Sequence, residues 1–214
     1  MIQTIDMIKK TKKITYKTND RIIRKALTDK LQNKHANDKT VRIFQELGVN
    51  NGRSRIDIAV VNGVMHGYEI KSDLDNFDRL PEQMESYNKI FNKITIVVGW
   101  SHLEAAINIV PEWWGVIVAR KSPKGRLILN SIRPADYNHN QDTLFIAKLL
   151  WRNEALEVLE SVGNAKGVRS KPRNIIYQRL ADTLDTNILQ KKVRETLFFR
   201  PDWRADQRLL INGG

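Results

Sequence analysis

With 214 residues, 41% of them hydrophobic, the chain can build one substantial core and a small second module, and its lack of cysteine excludes disulfides and thiolate zinc sites. Four scattered histidines offer no His-x-x-x-His spacing, so any metal must sit on oxygen ligands. The net charge of +12 is uneven: residues 1–45 carry 12 Lys and Arg against 4 Asp and Glu, residues 46–119 carry 6 against 10, and residues 120–214 carry 18 against 10.

Basic flanks around an acidic middle suit a metal-dependent protein acting on nucleic acid, although a generic basic surface produces the same totals. The N-terminus has no apolar stretch ahead of a small-residue cleavage site, and the longest apolar run, residues 94–100, is too short to cross a bilayer. A soluble cytoplasmic protein with no membrane partner is the expectation.

In chain order, a basic start precedes a helix capped by Asn19 or Asp20, with Ile22, Ile23, Ala26, Leu27 and Leu31 at helical spacing. Residues 41–48 fit a short helix or a strand: Val41, Ile43 and Leu47 partly alternate, while Phe44 fits a helix. Residues 55–61 are β-branched and alternating, Asn62-Gly63 suits a tight hairpin turn, and residues 64–71 read as the returning strand. A loop then leads to a helix over about 82–91, a buried strand at 94–99, a short helix at 102–109, and a hairpin of 113–120 with 126–131 closed by SPKG. From Gln141 the pattern turns helical, with Leu144, Ala147, Leu150, Trp151 and Leu159 on one side of a first helix. A basic, glycine-containing loop separates it from helical stretches at 173–184 and 187–198. The expected organisation is a core over residues 1–138 and a basic helical module over 139–214.

Chemistry gathers on the 55–71 hairpin. Asp57 and Glu69 project from strands whose neighbours Ile56, Ile58, Val60, Val61, Tyr68 and Ile70 look buried, so charges there need a reason. Two carboxylates in one cleft can bind Mg²⁺ while water and a substrate phosphate complete its octahedron. Lys71 shares the face of Glu69, where its amino group can orient or deprotonate an attacking water and stabilise charge on phosphorus. A two-residue turn would set Asp57 opposite Tyr68 and turn Glu69 away from it. The site therefore demands a bulge near Gly67 or, failing that, a longer turn over Asn62, Gly63 and Val64.

The run RIDIAVVNGVMHGYEIKSDLDNFDRLPEQMESYNKI resembles the catalytic segment of the PD-(D/E)XK nuclease superfamily and is similar to the uncharacterised bacterial and phage sce7726 family. That resemblance implies an α/β, restriction-endonuclease-like mixed sheet flanked by helices, here followed by the C-terminal helical module. It implies Asp57 and Glu69 as metal ligands with Glu46 as a third acid, Lys71 as catalytic, and Mg²⁺, replaceable by Mn²⁺, as cofactor. Gln83 and Tyr87 match the Gln-x-x-x-Tyr motif of the branch that resembles RecB and phage λ exonuclease, and from one helical face both could touch the phosphate next to the cut. Ile56 stands where the superfamily name has proline. Arg53, Arg55 and Arg79 lie close to the motif in sequence and are candidate phosphate clamps, with ordinary surface arginines a comparable alternative.

The expected function is a metal-dependent DNA nuclease. The alternatives are a catalytically inactive DNA-binding subunit of a larger nuclease or defence complex, and an RNA-directed nuclease. Trp113, Trp114 and Trp151 can stack on bases, although aromatic residues beside aliphatic segments are more often core. Asp73, Asp75 and Asp78 read as a solvated loop. Oligomeric state and sequence specificity are not legible.

Overall fold

The computed structural model describes residues 17–201; the basic start expected ahead of the first helix falls mostly outside them. A six-stranded mixed sheet runs in chain order: β1 (Arg42–Val49), β2 (Ser54–Val61), β3 (Met65–Lys71), β4 (Lys93–Gly99), β5 (Gly115–Lys121) and β6 (Leu127–Arg133). The first three strands and the last pair are antiparallel, whereas β3–β4 and β4–β5 are parallel, joined by helices α2 (Leu80–Asn88) and α3 (Leu103–Ile109).

Helix α1 (Asp20–Lys34) starts where the sequence predicts: the Asn19 side chain accepts from the Ile22 N–H at 3.0 Å, satisfying a donor that the first turn leaves unpaired. It lays Ile23, Leu27 and Leu31 on one sheet face with Ile58, Val60, Tyr68, Ile70 and Val97. The other face carries the larger core, in which Phe44, Ala59, Val61, Ile94, Ile96 and Val116 meet α2, α3 and the C-terminal helices. Those are α4 (Thr143–Ala147), α5 (Arg152–Ser161), α6 (Arg173–Thr183) and α7 (Thr186–Phe199). The C-terminal helices thus share one apolar cluster with the sheet. The single helix expected after Gln141 is broken between α4 and α5. Glu154 reaches back to the Trp151 N–H at 2.6 Å and also binds the buried Arg200, so this break is a fixed cap.

Two local features position the site. The ambiguous stretch at 41–48 is strand, as part of β1, but Glu46 has φ +57°, an uncommon conformation for a residue with a β-carbon. It inverts the alternation: Val41 and Ile43 pack on the α1 face, whereas Phe44, Leu47 and Val49 all pack on the other. The hairpin after it uses a three-residue turn, with Val61 opposite Met65, Gly63 at φ +83° and the Asn62 N–H donating to the Val64 carbonyl at 3.0 Å. The bulge expected near Gly67 is not used, because the longer turn makes the register shift. Gly67 packs closely instead: a β-carbon there would lie 3.2 Å from Phe91 and 3.3 Å from Ile56, so these side chains would have to give slightly.

Candidate active site

The site lies where the sheet forks. The β2–β3 ladder ends at Ile58 opposite Tyr68, after which β2 continues along β1 and β3 along β4. Carried on by one residue, the register sets Asp57 opposite Glu69, and the Asp57 side chain fills the gap between the strands. Its Oδ2 accepts from the Ile70 N–H at 2.6 Å, replacing the ladder bond lost at the fork. Its Oδ1 meets Arg24 Nη2 of α1 at 2.6 Å, and the same guanidinium reaches Glu46 at 2.7 Å and Asp20 at 2.9 Å. Burial pushes Asp57 above the usual carboxylate range, against the pull of Arg24 and the Ile70 N–H.

Glu69 and Lys71 are both buried, at 2% and 7% exposure, with Oε1 to Nζ at 3.0 Å. Gln83, from α2, joins them: its amide oxygen accepts from Lys71 Nζ at 2.9 Å and its amide nitrogen donates to Glu69 Oε1 at 2.7 Å. Tyr87, one turn further along α2, places its hydroxyl 3.0 Å from Glu69 Oε2 and 2.6 Å from the Arg55 carbonyl. Burial, together with the Asp57 charge, raises Glu69 to about 7, with Lys71 and Tyr87 opposing the shift. A protonated Glu69 can donate to Tyr87 while Tyr87 donates to Arg55, so the arrangement serves both protonation states.

A cavity of about 490 Å³ collects Glu46, Arg53, Arg55, Asp57, Glu69, Lys71, Arg79 and Gln83, with Asp20 and Arg24 in its wall. Tyr87 is fully buried behind Glu69, so it positions the carboxylate and does not face a phosphate. Glu46 is turned toward Arg24 and Arg55. Among the described residues no group of three or more His, Asp and Glu is arranged to hold a metal ion. Glu46, expected as a third acid, lines the same cavity as Asp57 and Glu69, but its carboxylate is ion-paired with Arg55 and with Arg24, the guanidinium that also holds Asp57. Asp57 and Glu69 both line the cavity, and a pair of carboxylates there fits magnesium, which keeps several waters and takes substrate oxygens.

Sequence reasoning missed Arg24 and Asp73. Asp73 ties three segments together: Oδ2 accepts from the Thr18 N–H at 2.7 Å and Oγ1 at 2.6 Å, and Oδ1 from the Ser101 N–H at 2.9 Å and Oγ at 2.7 Å. Burial acts upward on it, but these donors outweigh that and hold Asp73 below its ordinary range. A carboxylate followed two residues later by another gave no signal for partners this far off in the chain. Trp114 is core, with no exposure and its indole N–H donating to Asn88 at 2.8 Å, whereas Trp151 is 49% exposed.

Fold and site together define a mixed α/β protein whose sheet opens at one fork into a cavity walled by carboxylates and arginines. Over residues 13–212 the chain matches the family model described as Bacteriophage P4 protein cII, and it belongs to that family. Protein cII of Enterobacteria phage P4 is 42% identical over 55 residues, a stretch covering 26% of this chain and about a fifth (21%) of that protein's length. A protein of unknown function from Silicibacter pomeroyi is 16% identical, with a TM-score of 0.36, and the alignment covers 65% of this chain and 90% of that one.

The family match overturns the assignment to the PD-(D/E)XK superfamily, to its RecB-like and λ-exonuclease-like branch and to the sce7726 family. That likeness covered about residues 40–100 and rested on motifs as short as Glu-x-Lys, which recur by chance in a chain rich in both residues, whereas the cII match runs nearly the whole length. No described helix is long and apolar enough to cross a membrane.

Proposed function

We propose that this protein is a divalent-metal-dependent phosphodiester hydrolase acting on DNA. The observation that carries the reading is the buried Glu69–Lys71 pair beside Asp57 in an arginine-lined cavity. A buried ion pair is a weak source of stability, since apolar residues of similar volume serve as well, so its presence in a cleft points to chemistry. A magnesium or manganese ion held by Asp57 and Glu69 would supply polarisation of the scissile phosphate and a bound water of lowered pKa. Lys71, fixed by Gln83, places its positive charge where negative charge develops on the phosphoryl oxygens. Arg53, Arg55 and Arg79 bind the flanking phosphates without reading sequence.

The test is cleavage of linear and circular, single- and double-stranded DNA, with an RNA arm, in Mg²⁺, Mn²⁺ or chelator. We expect metal-dependent cleavage of DNA that Asp57→Ala, Glu69→Ala and Lys71→Ala each abolish. Full activity in Lys71→Ala, or cleavage in chelator, overturns the mechanism.

A second reading, DNA binding without turnover, draws support from Arg24 on Asp57 and Lys71 on Glu69, which neutralise both carboxylates with no cation. DNA binding with no cleavage under any metal supports it over hydrolysis.

A further inference from the structure

A second cavity, of about 520 Å³, adjoins the first and shares Glu46, Gly52 and Arg55 with it. Its lining comes from the α4–α5 break and the start of α6, and includes Trp151, Lys148 and Arg173. Trp151 is held and yet half exposed: its backbone N–H is tied to Glu154, and the Arg200 guanidinium lies 4.4 Å from its ring centre, itself fixed on Glu154 at 2.7 Å. An indole backed by an anchored cation, with much of its surface in solvent, is a ready stacking platform for a base. Arg173 is exposed and Lys148 partly so, while the Arg55 side chain, 53% exposed, stands where the two cavities meet.

We propose that this second cavity binds single-stranded DNA, with an unpaired base on Trp151 and the backbone crossing Arg173 and Lys148 toward Arg55 and the fork. A base paired within a duplex has its faces covered by its neighbours, so a lone exposed indole selects an unpaired one. The inference rests on the proposed hydrolase for the direction of the strand, and it assigns that site a single-stranded substrate.

The experiment measures binding in chelator, by fluorescence anisotropy of a labelled oligothymidylate and of a blunt duplex of equal length. We expect the single strand to bind at least about tenfold more tightly than the duplex, and Trp151→Ala to weaken it roughly 5- to 100-fold, with Trp151→Phe recovering most of the loss. Arg173→Ala should lower the salt slope by about 0.7, the share of one phosphate contact on a single strand, while Trp151→Ala leaves the slope unchanged. Single-strand affinity unchanged in a Trp151→Ala protein with wild-type circular dichroism and melting, or a duplex bound as tightly, overturns the proposal. Because binding is read without metal, a protein that binds single strands through Trp151 but cuts nothing overturns the hydrolase and leaves this site standing.

Discussion

Arg24 occupies the position from which a cation would neutralise Asp57, and replacing it with alanine should make the protein both weaker and more responsive to metal. The guanidinium and the Asp57 carboxylate are 18% and 16% exposed and 2.6 Å apart, whereas Asp20 and Glu46 are 42% and 45% exposed and contribute little. Stripping one partner from a buried pair costs about 3–5 kcal/mol, and uptake of a proton by Asp57 trims this to roughly 2–4 kcal/mol. At about 2–4 °C per kcal/mol for a chain of this size, the melting temperature should fall by roughly 4–16 °C. Manganese at about a hundred times its Kd would return about 2.7 kcal/mol by binding only the folded state. Thermal melts of wild type and Arg24→Ala, with and without Mn²⁺, decide the matter. The reasoning is refuted if the variant melts with wild type, or if Mn²⁺ raises its midpoint no more than that of wild type.

Tyr87→Phe removes a hydroxyl that serves both the Glu69 carboxylate and the Arg55 carbonyl in a buried setting, and should cost about 2–3 kcal/mol in a denaturant titration. Glu69, raised to about 7, holds its proton more tightly folded than unfolded. Its contribution to stability is thus full below the ordinary glutamate value of 4.5 and lost as pH climbs through about 7. Cation binding needs the ionised form, so Mn²⁺ affinity by calorimetry should rise with pH and level off above about 7; a flat profile from about pH 5.5 to about pH 8.5 would remove Glu69 from the ligand set. Asp73 carries the opposite sign, its stabilisation being present above the unfolded value and lost as pH falls through the lower folded one. Asp73→Asn should cost about 1 kcal/mol near neutrality, modest because the site is partly exposed, and should flatten the acid limb of a melting-temperature profile.

The hairpin shows what the sequence could carry. The demand that Asp57 and Glu69 share a face was readable from period-two geometry, and so was the failure of a two-residue turn to meet it. The choice between bulge and longer turn was not readable, because Gly67 has no positive φ and instead sits tight against Phe91 and Ile56, a contact its own stretch of sequence does not announce. Strand β1 looked half helical for a physical reason: Glu46 flips the alternation, so Phe44 and Leu47, three apart, share a face as they would on a helix. Gln83 drew notice only through the resemblance to a Gln-x-x-x-Tyr motif, which the family match sets aside, and its contacts were not legible. It binds Lys71 and Glu69 to each other, a contact that spacing along α2 alone cannot show. Arg24 and Asp73 were invisible because their partners lie 33, 55 and 28 residues away.

The strands are ordered in space as they are in the chain, and this bears on how the protein is made. Each strand finds its pairing edge already present on the strand before it, so the sheet can lengthen one edge at a time during synthesis, with short loops between the antiparallel strands and a helical crossover between each parallel pair. One side can be covered at once, since α1 emerges before any strand. The other stays partly bare until α4–α7 arrive to complete the cluster around Phe44, Trp114 and Tyr177. A ribosome-stalled chain ending just after β6 should accordingly show sheet-like protection from hydrogen exchange and bind a hydrophobic dye, and the dye should be released once α7 has cleared the exit tunnel.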